Sequence, residues 1–86
     1  TILRVYNTDT QGQPLRIYLA PEAGEARLLG NVGPEDYLTL PHPMGPGRFT
    51  FRAERPDGST FNSPAFTVVS GTYTWDIALR RVERSR

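Results

Sequence analysis

The chain has no cysteine and no lysine, only one histidine and one tryptophan, and no long apolar run. Without cysteine, neither a disulfide nor a thiolate metal site can staple the fold. The same absence agrees with a secreted or cell-surface setting, where an unpaired thiol is a liability. No stretch approaches the ~20 apolar residues that span a bilayer, so no membrane insertion is expected. The first residue is Thr1, with no methionine and no basic-then-apolar leader after it. That start reads as a mature chain after signal removal, with an excised domain as the alternative.

Catalytic chemistry is equally short of material. With lysine and cysteine missing, a nucleophile would have to be a serine beside a base. The sole histidine, His42, sits between Pro41 and Pro43 and reads as a solvated loop residue. Ser59, Ser63 and Ser70 have neither a strained elbow nor an orienting carboxylate to complete a triad. Glu35 and Asp36 are adjacent, so on a strand they point to opposite faces and cannot cooperate. No loop carries the closely spaced acids that calcium needs. No enzyme activity, cofactor or metal is expected.

Charge is nearly balanced: ten basic residues against nine acidic ones, net +1. Such a balance argues against nucleic acid as a partner. All ten basic residues are arginine, alongside eight prolines, three asparagines and two glutamines. Codon bias in a GC-rich bacterial genome accounts for that usage, and a thermophile habitat is the sharper alternative.

What the sequence has in abundance is alternation. Tyr73, Trp75, Ile77 and Leu79 fall on one side of a period-two pattern, with Thr72, Thr74, Asp76 and Arg80 on the other. Phe49, Phe51 and Ala53 oppose Arg48, Thr50, Arg52 and Glu54 in the same way. Leu3 and Val5 oppose Arg4 and Tyr6, while Leu15, Ile17 and Leu19 oppose Arg16 and Tyr18. Such alternation puts one face in a core and the other in water. No window carries the helical i, i+3, i+4, i+7 spacing.

Turn chemistry divides the runs at Gly33-Pro34, at Pro56-Asp57-Gly58 and at Ser70-Gly71. The stretch from Pro41 to Gly47 holds three prolines and two glycines and reads as a loop. Seven strands are expected, near residues 2–7, 14–20, 26–30, 35–40, 47–54, 61–69 and 72–81. They predict one all-β domain over residues 1–81, an antiparallel Greek-key sandwich whose last three strands form a meander. Residues 82–86 are expected to be a frayed basic tail. Leu3, Val5, Leu15, Ile17, Leu38, Phe49, Phe51, Phe66, Val68, Trp75 and Ile77 form the expected core.

The order of these features resembles small secreted bacterial β-sandwich domains of immunoglobulin-like or transthyretin-like shape. It rests on Val5-Tyr6-Asn7, Leu15-Arg16-Ile17-Tyr18-Leu19, Leu29-Gly30-Asn31-Val32-Gly33-Pro34, Tyr37-Leu38-Thr39-Leu40-Pro41, Ser63-Pro64-Ala65-Phe66-Thr67-Val68 and Gly71-Thr72-Tyr73-Thr74-Trp75. The resemblance implies fold and export. It transfers no active site.

Three contact candidates remain. A repeated Arg-x-Tyr, Arg4/Tyr6 and Arg16/Tyr18, would make one outer-face cluster if its strands were neighbours, suited to protein or extracellular glycan. Arg80, Arg81, Arg84 and Arg86 form a basic terminus able to grip acidic groups. Asp76 is expected to pair with Arg48 or Arg52. The third candidate is the first strand, Ile2, Leu3, Arg4, Val5, Tyr6 and Asn7, read as an edge strand that either pairs at home or leaves through a Thr8–Gln13 hinge to complete a neighbour. The leading expectation is therefore a self-associating extracellular structural protein, a filament or surface-layer subunit. The alternatives are a carbohydrate-binding or accessory module and a virion decoration or tail component.

Overall fold

The computed structural model describes residues 1–86 and is all-β, with no helix and nine strands in two sheets. The strands are β1 (Ile2–Tyr6), β2 (Leu15–Pro21), β3 (Arg27–Val32), β4 (Tyr37–Pro41) and β5 (Gly47–Glu54), followed by β6 (Thr60–Asn62), β7 (Phe66–Val68), β8 (Thr72–Asp76) and β9 (Arg81–Ser85). One sheet runs β4-β1-β8-β9; the other runs β3-β2-β5-β6, with β7 also on β5. The chain crosses between sheets after β1, β3, β4 and β7.

Alternation places the core as expected. Leu3 and Val5 of β1 with Tyr73 and Trp75 of β8 face Leu15, Ile17 and Leu19 of β2 and Phe49, Phe51 and Ala53 of β5. Phe51 stacks on Trp75 across the gap, ring centres 5.8 Å apart, and Phe66 stacks on Phe51 at 4.9 Å. Aromatic pairs add about 0.5–1.5 kcal/mol each beyond the area they bury. Leu38 is the one expected core residue that is only half-buried, because β4 is a sheet edge with Leu38 leaning on Gly30.

Two of the expected strands are interrupted. The run 61–69 is split at Ser63-Pro64-Ala65, since proline has no N–H for the ladder. Ser63 covers the break: its N–H donates to the Phe51 carbonyl and its buried hydroxyl accepts from the Phe51 N–H, both at 2.9 Å. The strand expected to reach residue 81 ends at Asp76. The chain then turns through Ile77–Arg80, with Arg80 in the left-handed region at φ 53°, and returns as β9. This turn leaves Leu79 exposed although it shares the parity of Trp75.

Three further expectations are corrected. The segment expected to be a frayed tail, 82–86, is almost entirely strand β9, paired antiparallel with β8. The last strands are no meander: β7 and β8 lie in different sheets, and Ser70-Gly71 is a crossover rather than a hairpin turn. Gly71 is needed there, because its φ is +105° and a Cβ would stand 2.6 Å from the Ser85 carbonyl oxygen. Nor is the pairing wholly antiparallel: β1 runs parallel to β8, with Leu3 beside Tyr73 and Val5 beside Trp75.

Replacing Phe51 or Trp75 by alanine is expected to cost about 3–5 kcal/mol, since each leaves an inter-sheet void. Chemical denaturation of the two variants measures it; a loss under about 1 kcal/mol for both contradicts this core.

Candidate contact surfaces

The first strand is not an edge. β1 lies between β4 and β8, pairing with both over its whole length. Its end is fixed by Asn7, which is 1% exposed. The Asn7 side-chain amide donates to the carbonyls of Gln13, Val32 and Gly33 at 2.9–3.3 Å, and its oxygen accepts from the Asp9 N–H. Its main chain donates to Asp36 and accepts from Glu35. The expected Thr8–Gln13 hinge is therefore anchored. Thr8 donates to the Asp76 carboxylate at 2.6 Å and accepts from the Ala78 N–H, while Asp9 takes two hydrogen bonds from Arg55. These contacts tie the segment to the β8–β9 turn and to the end of β5.

The repeated Arg-x-Tyr does not form one cluster, because β1 and β2 belong to opposite sheets. Each half finds local partners. Tyr6 stacks on Tyr37 of β4 with centres 4.3 Å apart, and the Arg4 guanidinium lies 5.9 Å from the Tyr37 ring. On the other sheet Arg52 covers the Tyr18 ring at 4.7 Å, while Glu54 accepts from Tyr18 and pairs with Arg16 at 3.4 Å. The expected Asp76 pairing with Arg48 or Arg52 is absent for the same reason: those arginines are on β5, and Asp76 faces Thr8 instead. Arg48 reaches Glu22 at 3.7 Å.

The basic terminus is spread along β9 and the turn before it. Arg81 and Glu83 pair on the outer face at 2.7 Å. Arg84 turns back to the crossover, its Nε donating to the Ser70 carbonyl at 2.7 Å. Arg86 is exposed, and Arg80 has no acidic partner. His42 is less solvated than its prolines imply: it meets the Phe49 ring edge-on and its Nε2 lies 2.9 Å from the Gly45 carbonyl oxygen. No three His, Asp or Glu side chains gather closely enough to hold a metal ion.

Electrostatic perturbations are few and local. Hydrogen bonding to Asp9 raises the Arg55 guanidinium above its ordinary value, against the opposing effect of burial. The Asp57 carboxyl is lowered, first by the Ser59 hydroxyl and then by the Ser59 N–H, in the Pro56-Asp57-Gly58 turn. No protein-family model, curated protein or solved structure matches the chain.

Two outcomes are expected. Asn7→Leu should cost on the order of 2–4 kcal/mol, because the buried Val32 carbonyl and the half-buried Gln13 and Gly33 carbonyls lose their donor, and Asn7→Asp should cost more by setting a charge against them; urea melts compare the two. In Ser59→Ala, the Asp57 carboxyl should titrate at a higher pH than in the parent, read by carboxyl-carbon NMR. Its lowered folded value means the turn's contribution is complete above the ordinary carboxylate range and is lost as pH falls through the folded value. That acid sensitivity should diminish in the alanine variant.

Proposed function

We propose that this chain is a non-enzymatic structural domain of a secreted or cell-surface protein, and that it associates with a second copy through β9. The carrying observation is the state of the four sheet edges. β4 ends in Pro41, with Pro43 and Pro46 close behind. β3 carries a bulge opposite Ile17 and Tyr18. β6 and β7 are three residues each, broken at Pro64. These are the usual ways of blunting an edge. β9 has five residues with no proline, glycine or bulge, and alternate residues turn their N–H and C=O groups away from β8.

Charge selects the register. In a two-fold antiparallel pair, residues opposite one another share a face. Centring on Glu83 sets Glu83 against Glu83, and centring on Arg84 sets arginine against arginine. Centring on Val82 places Arg81 opposite Glu83 twice, exchanging the pair that each copy makes internally for two across the seam. This pairing joins two four-stranded sheets into one of eight and closes on itself, giving a dimer rather than a fibre. The short ladder predicts a weak, concentration-dependent dimer.

The strand order departs from the immunoglobulin-like side of the resemblance. Immunoglobulin domains keep the first and second strands in one sheet, whereas here they are in opposite sheets. The return of β4 to lie beside β1, after the β2–β3 hairpin in the other sheet, supports the Greek-key reading.

The charge register is tested by exchange. Analytical ultracentrifugation should show Arg81→Glu and Glu83→Arg each weakening the dimer at least about tenfold, with the double exchange restoring it. A parent chain that stays monomeric at millimolar concentration overturns the proposal. So does a double exchange no better than either single change.

A further inference from the structure

At one end of the molecule the two sheets part around a cleft of about 530 Å³. Its walls come from the β1–β2 loop, the end of β5, β6, and the β8–β9 turn. The size falls within the range of small-ligand sites, about 300–1,000 Å³. The wall is part apolar, with Phe61, Trp75, Ile77 and Pro64, and part polar, with Thr10, Asn62, Arg55 and Arg80.

The charges in this wall do not cancel. Arg55 is held by Asp9 at 3.0 Å through its Nε and at 3.2 Å through one terminal nitrogen, so that pair is internally balanced. Arg80 is exposed, and its guanidinium has no carboxylate or other acceptor within the chain. It is also held at φ 53°, a backbone region that costs any non-glycine residue and that collects at binding sites. Trp75, in the same wall, is 1% exposed.

We infer that the cleft binds a small organic monocarboxylate whose apolar body lies on the Trp75 side and whose carboxylate meets Arg80. One unbalanced guanidinium matches one negative charge. A planar carboxylate accepts two parallel hydrogen bonds from a guanidinium, which a neutral amide cannot reproduce. Asp9 in the same wall disfavours a dianion such as a phosphate ester. Arg55 covers one face of Phe61 at 4.4 Å, leaving less bare aromatic surface for a neutral sugar ring to stack on. The site is complete within one copy of the chain, so it stands whether or not β9 pairs.

Trp75 is the only tryptophan and forms part of the wall, so its fluorescence reports occupancy directly. Phenylacetate, titrated into dilute monomeric protein, should change the emission saturably. Phenylacetamide, phenyl phosphate and glucuronate should each bind at least about tenfold more weakly. Arg80→Gly removes the guanidinium and relieves the left-handed backbone, so it should keep or raise the melting temperature while erasing the acid-over-amide preference. Arg80→Lys should retain part of that preference. Ligand-observed NMR checks each titration independently of the tryptophan. No saturable change with phenylacetate overturns the assignment; so does equal binding of acid and amide, tighter binding of the sugar acid or the phosphate ester, or an undiminished preference in Arg80→Gly.

Discussion

The arrangement depends on Asn7. It stands where β1 ends and the chain must leave one sheet for the other, a point where main-chain groups are buried with no ladder to join. Its amide hydrogens are shared among three carbonyls, one in the β1–β2 loop and two where β3 ends, and its own main chain bonds to Glu35 and Asp36. Buried carbonyls without donors would each carry a desolvation penalty of about 1–3 kcal/mol. One short side chain therefore satisfies the β1–β2 loop and the β3–β4 crossover together. That leaves β1 free to run between β4 and β8, and its parallel pairing with β8 closes the chain from its first strand to its eighth. A leucine there would fill the volume and leave the loops unsatisfied.

Which residues are buried was legible; which strands are neighbours was not. Burial follows from period two, a local property, so Leu3, Val5, Phe49, Phe51, Trp75 and Ile77 all lie in the core that alternation predicts. Sheet order follows from where the chain crosses between layers, and nothing in Ile2–Tyr6 says that its partners come from around residues 39 and 74. The Arg/Tyr cluster failed for that reason alone. Each Arg-x-Tyr does face outward, and the two lie on opposite sides of the molecule.

The missed strand has a different cause. In a sequence, turns are marked by glycine, proline, asparagine and aspartate, the residues that favour them. The turn from Ile77 to Arg80 uses none of these, and its left-handed position is an arginine. Its support is tertiary: Asp76 is held by Thr8, whose hydroxyl also accepts the Ala78 N–H. The segment behind it, Arg-Val-Glu-Arg-Ser, has a single apolar residue and so shows no alternation. Val82 is nonetheless enough to pack against the core once β8 supplies the ladder. Pro64 was visible in the sequence, but its consequence was not, because Ser63 carries the pairing across the break.

That turn is also where the two proposed surfaces originate. Had β8 continued to residue 81, as its alternation suggests, Leu79 would have extended the apolar face. The sheet would then have ended on β8, with no β9 beyond it. Folding back at Asp76 instead adds β9 as a new edge and swings Ala78 and Arg80 over the open end of the core, where they wall the cleft. The two features carry opposite electrostatic logic. Along β9, Arg81 and Glu83 already pair within one copy and can exchange that pair for two across a two-fold seam, whereas Arg80, one residue earlier, has no counter-charge. Moving Arg80 onto the strand would set it among those charges. Its left-handed backbone keeps it on the turn, facing a ligand-sized space rather than a neighbouring copy.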